Sequence, residues 1–371
     1  MRNLVQRIAA RKAEGRPRRE WFTITPRSAF GLLAVVLTAV LIALLVYLVW
    51  FFGRPQVLNQ LPPVQGIQPI WQVYGPGEGE LPFFDRPMGV AVGAGSRVYV
   101  TDTGNNRICV FDSQGRYLSS FGSFGVAKSL TGAGPTYAPG SLNYPVGIDT
   151  DSDGNVYVAS FRNDSIEVFD ADGRPLRRFP DPYRPTGEGS SGLGGLGIAV
   201  TGVAVHKDRL YATDRYQIIV FNLEGEVLDQ WGMPGDDPGD LDHPNGIAVS
   251  NDGKTIYVAD SNHSRVSAFT PEGDLIWQVG EIPEGISDRS DTPLQLPRGL
   301  TVMPDNSILV SDAFAFTLVR ISAEGEVVAE YGERGVDPGQ VNFANDVETF
   351  RGLVVIADKE NGRVQTVRLL N

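Results

Sequence analysis

The feature that most constrains this chain is a unit of four short segments that recurs six times. The clearest copy, RPMGVAVGAGSRVYVTDTGNNRICVFDSQGRYLSSFG, runs from Arg86 to Gly122, and others begin at Tyr144, Val200, His243, Leu296 and Phe343. Each segment alternates apolar and polar residues with period 2 and is bounded by turn sequences such as DSDGN, NDGK and AEGE, so each predicts a strand. No stretch after residue 53 keeps a helical period. Four short strands per unit, at a spacing of about 45–58 residues, are the pattern of propeller blades. The expectation is therefore an all-β chain with a six-bladed β-propeller.

The two ends of the array are complementary. The sixth copy stops at Asn371 after its third strand, whereas Ile70–Gly75 (IWQVYG) resembles the fourth segments ending RYLSSFG, EVLDQWG, DLIWQVG and EVVAEYG but has no unit before it. Placing this N-terminal strand on the outside of the last blade closes the ring and removes an unpaired strand edge. Residues 53–66 are then a Pro/Gln-rich linker and residues 67–371 the propeller.

Ahead of the propeller, Ala29–Phe52 is a run of twenty-four residues with Thr38 as its only polar member and no charge. As a helix it would be roughly 36 Å long, enough to cross a bilayer. It is longer than the apolar core of a cleaved signal peptide and lacks a small-residue cleavage site after it. A single-pass transmembrane signal-anchor is predicted. Residues 1–28 carry eight basic and two acidic side chains, so this tail is expected in the cytoplasm and the propeller on the extracytoplasmic side of a cell membrane. Residues 53–371 have a formal charge of −18, which argues against a nucleic-acid partner. The single cysteine, Cys109, permits no intrachain disulfide, and an outer domain without disulfides fits a bacterial envelope. The tail is too short for a folded effector, which weakens a sensor role.

These repeats resemble the NHL-repeat family of six-bladed propellers. Its recurring motif, P-x-G-[IV]-A-V … D-G … [IV]-Y-V-[AT]-D-x-x-N-x-R-[IV]-x-x-F, is matched most closely at Pro87–Phe111 and Pro244–Phe269, and the connectors from Gly232 and Gly332 are similar to that family's linkers. The resemblance implies the fold. It leaves function open, since it implies a binding platform, a sensor domain or, in a few members, a lyase.

Most candidate chemistry dissolves on inspection. The Asp that ends the second segment (Asp102, Asp214, Asp260, Asp312, Asp358) recurs once per blade, as a turn cap would. The stretch Asp149–Asn155 imitates a calcium loop but has Ser160 where a bidentate carboxylate is needed, and reads as a hairpin turn. In the amidating lyases that the family resemblance brings in, metal-binding histidines follow the proline that opens each innermost strand. Here those positions are Met88, Val146, Thr201, Asn245, Arg298 and Asn345. His206 is expected on the face opposite His243 and His263, so the three cannot share a zinc. A streptogramin-lyase reading lacks its channel histidine. There is no G-x-S-x-G and no C-x-x-C-H.

What remains is a surface. The connections that lead into the innermost strands share one face with those between second and third strands, and aromatics break the polar consensus there. Phe314 and Phe316 stand in blade five, Phe161 and Tyr216 in comparable turns of blades two and three, and Arg298 and Asn245 at the channel mouth. Aromatics with Arg are the composition of a binding hot spot. The expected function is a membrane-anchored binding or scaffold propeller for a protein or glycan partner, with no cofactor and no catalysis. The alternative is a calcium-assisted hydrolase or lyase at the channel mouth using Asn245, Asn345 and Asp346. The long connections Gly122–Leu142 and Pro180–Leu196 are expected to form a rim, and the acidic run Gly235–Asp242 a solvated loop.

Overall fold

The structure, a computed structural model, describes residues 26–126, 138–179, 199–281 and 292–370. It divides into two compact units, residues 1–49 and 50–371. In the first, a helix runs Pro26–Phe52. Residues 30–47 are exposed throughout, and the span Phe30–Phe52 is long and apolar enough to cross a membrane.

In the second unit six antiparallel sheets form the blades of a propeller. Blade 1 comprises Pro87–Val92, Val98–Asp102, Arg107–Phe111 and Tyr117–Phe121. Blade 2 comprises Pro145–Thr150, Val156–Ser160, Ser165–Phe169 and Pro175–Phe179. Blade 3 comprises Val200–His206, Arg209–Asp214, Gln217–Asn222 and Val227–Trp231. Blade 4 comprises Pro244–Val249, Ile256–Asp260, Arg265–Phe269 and Leu275–Gly280. Blade 5 comprises Pro297–Val302, Ile308–Asp312, Thr317–Ile321 and Val327–Tyr331. Blade 6 takes three strands from the C-terminal end, Ala344–Phe350, Leu353–Asp358 and Arg363–Leu369. Its fourth strand is Ile67–Val73, paired antiparallel to Arg363–Leu369, as the sequence predicts. Gln56–Val57 pairs outside it as a short fifth strand, so part of the segment read as a spacer is built into blade 6.

Two glycine positions explain the repeat. The first follows the x of P-x-G: a Cβ at Gly89, Gly202 or Gly246 would lie 2.2, 2.3 or 2.2 Å from a carbonyl oxygen of the next blade. Innermost strands converge on the axis, so only glycine fits that approach. Blade 6 has Asp346 instead, which becomes important at the channel. The second lies in the turn before each outermost strand. Phe121, Phe179, Trp231 and Trp277 press on Gly173, Gly225, Gly273 and Gly325 of the following blade, and Trp71 presses on Gly115. The orphan strand thus makes the same inter-blade contact as its counterparts, with the Trp71 indole N–H donating to the Ser113 carbonyl at 3.1 Å. Between blades 5 and 6, Tyr331 packs on Gly66, just ahead of the closing strand.

The recurring Asp holds each innermost strand's approach. Asp102, Asp260 and Asp358 accept the backbone N–H of Asp85, Asp242 and Asn342, and each also accepts from an Arg five residues on. Their role is structural, and wider than a local turn cap.

Candidate functional site

Each innermost strand starts at one end of the axial channel, so its second residue points across the mouth. Met88, Val146, Thr201, Asn245 and Arg298 form the floor of a cavity of about 550 Å³, with Asn345 beside Arg298. Its walls include Tyr144, Phe161, Tyr216 and Phe343. Beneath lies the channel, a space of about 210 Å³ that Arg298 also borders.

Of the six residues expected to bind a partner, Arg298, Asn245, Tyr216 and Phe161 line this cavity together. Phe314 and Phe316 do not. Phe314 is 45% exposed and packs edge-on against Phe343 at 5.8 Å, so Phe343 takes the wall position. Phe316 is half-buried against the core between blades 5 and 6, with Arg334 over its ring at 4.6 Å. Sequence reasoning missed Tyr144 and Phe343. Both sit immediately before an innermost strand with left-handed backbone, φ +60° and +62°, as does His243 at +52°. A bulky residue in that region is held there at a cost of order 1–3 kcal/mol. The signal available was an aromatic at the residue preceding P-x-G or its equivalent.

The charge of the mouth is opposite to that of the chain. Its ionisable side chains other than tyrosine are Arg215, Arg298, Lys359 and His243, with no carboxylate among the cavity's lining residues. Burial holds the Arg298 guanidinium below its usual value, at about 10, although Tyr144 and Asp346 oppose this. Its Nε donates to Asn345 Oδ1 at 3.2 Å, and among the described residues it forms no ion pair. The aromatic rings carry cations: Arg162 lies over Tyr144 at 4.5 Å and Lys359 over Phe343 at 4.2 Å. His243 is held by Asp242 at 2.5 Å.

Deeper in the channel stand three carboxyls, Asp149, Asp346 and Glu348. Asp149 lies on the innermost strand of blade 2 and not in the turn that follows it. All three join neighbouring blades: Val205 N donates to Asp149 at 2.7 Å, Val90 N to Asp346 at 3.0 Å and Thr301 Oγ1 to Glu348 at 2.9 Å. Glu348 also accepts from Thr349 N. Burial, the largest cause in each case, pushes them up to about 6, 7 and 8. The signal in the sequence was the replacement of the G-[IV]-A-V pattern by GIDT and DVET. Folded values above the unfolded ones near 4 mean that stability from these groups is full below about pH 4 and is lost as pH rises through 6–8. The melting temperature is therefore expected to fall between pH 5.5 and 8.5. The three residues are only half-buried, so solvent screening brings the loss to about 3 kcal/mol. Glu348→Gln, which keeps the accepting oxygen, should flatten the curve; thermal melts that rise with pH would refute this assignment.

The other candidates resolve as follows. Asn345 Nδ2 donates to the Met88 carbonyl and its oxygen accepts from Arg298, while Asp346 accepts two backbone N–H bonds. With a guanidinium between them and Asn245, these residues fit a calcium ion poorly. Among the described residues no group of three His, Cys, Asp or Glu is placed to hold a metal. His263 is buried and bonds Asp260, and His206 lies on the opposite side against Gly253. Burial raises the Cys109 thiol far above its usual value, leaving it unreactive. In the acidic run, the carbonyls of Asp237 and Asp240 accept from Arg265. The expected rim falls mostly on 127–137 and 180–198, outside the described residues.

Residues 84–111 and 241–269 match the family described as NHL repeat. The chain is 27% identical to "Protein brain tumor" of Drosophila melanogaster over 169 residues, which is 44% of this chain and 14% of that protein. It is 26% identical to "B-box type zinc finger protein ncl-1" of Caenorhabditis elegans over 160 residues, 43% of this chain and 16% of that protein. The alignments thus span about a seventh of these relatives' length. Among solved structures, a gluconolactonase from Xanthomonas campestris superposes with TM-score 0.57 at 14% identity, covering 85% of this chain and 98% of that one. A virginiamycin B lyase from Staphylococcus aureus superposes with TM-score 0.51 at 15% identity, covering 77% and 95%. At such identities the likeness is one of fold.

Proposed function

We propose that this chain, an NHL-repeat six-bladed propeller with an apolar N-terminal helix, is a membrane-anchored binding platform. The basic tail would lie in the cytoplasm, residues 29–52 would cross the membrane and the propeller would stand outside, in the envelope of a bacterium. The partner, a protein or glycan, would dock on the channel mouth. The observation that carries this reading is the mouth itself, where Arg298 and Asn245 on the floor meet Tyr216 and Phe161 on the wall of one cavity. Rigid aromatics and a guanidinium supply contact area at low entropic cost, as hot spots do. The structural neighbours that are a lactonase and a lyase keep catalysis as a second reading; among the described residues no group of three His, Cys, Asp or Glu is placed to hold a metal for it.

The test is a crosslinked pull-down from native membranes with the full-length protein beside an Arg298→Glu/Tyr216→Ser variant. The wild type should recover a partner and the variant should lose at least nine-tenths of it. Recovery of the same partner by both would leave a platform and remove this site. No partner with either, together with stoichiometric calcium in the purified protein, would favour the enzyme.

A further inference from the structure

We propose that the mouth reads acidic peptide: an extended segment whose Asp or Glu carboxylate is taken by Arg298. This rests on the platform reading and specifies its partner's chemistry. The first support is charge. Residues 53–371 carry a formal −18, yet the cavity's charged lining side chains are all basic; Lys359 is paired with Glu360 at 2.9 Å, which leaves Arg298 and Arg215 to attract an anion against the repulsion of the surrounding surface.

The second support is unused hydrogen-bonding capacity. The Arg298 guanidinium spends only its Nε, on Asn345, and among the described residues its two terminal nitrogens make no hydrogen bond. Such a pair matches a carboxylate with two parallel bonds. Next to it, Asn245 donates through Nδ2 to the His243 carbonyl and to Ser261 Oγ, which leaves Oδ1 without a donor among the described residues. A free double donor beside a free acceptor is the complement of a carboxylate side chain next to a backbone N–H. Arg215 is exposed on the same wall, with no ion pair among the described residues.

The third support discriminates between ligand classes. Sugars bind aromatic platforms through bare ring faces, but here Arg162 lies over Tyr144, Lys359 over Phe343, and Tyr216 meets His243 at 5.6 Å. Two of the four wall rings, Tyr144 and Phe343, thus already hold a cation, which leaves less bare face for a sugar. A cavity of about 550 Å³ admits one acidic side chain with its flanking backbone.

The experiment uses the full-length protein in nanodiscs and fluorescence anisotropy. The probes are a fluorescein-labelled decapeptide of alternating Glu and Gly, its Gln counterpart, and labelled trigalacturonate. The Glu peptide should bind, more weakly as salt rises, and the Gln peptide should not. Arg298→Met should weaken binding by about thirty-fold or more, since a buried charge pair is truncated. Arg298→Lys should recover part of that loss, and Arg215→Ser, at an exposed position, should weaken it about three-fold. A wild type indifferent to the Glu peptide, or a Glu peptide indifferent to Arg298→Met, overturns the proposal, as does trigalacturonate binding in its place. If the pull-down yields a mouth-dependent partner that the Glu peptide cannot displace, the acidic-peptide reading falls while the platform stands. A pull-down empty for every variant removes both.

Discussion

Deleting Ile67–Val73 from the full-length chain is expected to abolish the cooperative melt of the propeller. Ile67, Trp71 and Val73 are buried, and they belong to two different inter-blade cores. Trp71 and Val73 lie between blades 6 and 1 with Phe111 and Val364, whereas Ile67 lies with Tyr331 and Val341 between blades 5 and 6. Truncating one buried Trp costs about 3–5 kcal/mol, and an Ile several more. The sum rivals the ~5–15 kcal/mol stability of an ordinary domain. The deletion also bares the Arg363–Leu369 edge to other chains. Val57→Lys is the control: Val57 sits on the outermost strand at 74% exposure and should change the melting temperature by a degree or two. Calorimetry reads both. A deletion variant that melts like the wild type would mean that the strand is not the closure.

The second large effect is expected at Arg363, which is fully buried. Its Nε donates to Asp358 at 2.8 Å. One terminal nitrogen donates to Gln72 Oε1 and the Val336 carbonyl, the other to the carbonyls of Asp337 and Gln340. One side chain therefore ties the last repeat strand to the closing strand and to the connector between blades 5 and 6. Arg363→Ala leaves the Asp358 carboxylate buried, its value already raised by desolvation, and should cost about 3–5 kcal/mol. Arg107, the matching residue of blade 1, is 13% exposed at its side chain, and Arg107→Ala should cost less. Denaturant unfolding of both variants tests the ranking; equal losses would show that the link to Gln72 contributes nothing. The pair Arg363→Met/Asp358→Asn should recover part of the single variant's loss, because no uncompensated charge is then left inside.

The fold was legible because a propeller writes its local rules once per blade. Strand period, turn glycines and the recurring Asp–Arg spacing are nearest-neighbour effects, and each survives in the linear order of residues. The channel carboxyls show where this ends. Asp149 and Glu348 each break a repeated pattern, but that their oxygens are needed by Val205 N and Thr301 Oγ1 of adjoining blades depends on contacts between elements about fifty residues apart. Phe314 and Phe316 show the converse. Phe314 is exposed and Phe316 half-buried in that turn, and the wall position beside Arg298 belongs to Phe343, supplied by the next blade.

By itself the sequence determined the number of blades, the strand that completes the sixth, the apolar span ahead of them and the residue in each blade that faces the mouth. All of these follow from periodicity and from steric limits within one repeat. Only the tertiary structure decided which side chains share a cavity, which carboxyls are buried together and that, among the described residues, the terminal nitrogens of Arg298 make no hydrogen bond. Those outcomes depend on how six similar units curve around one axis, where residues from different blades meet at distances that no single repeat encodes.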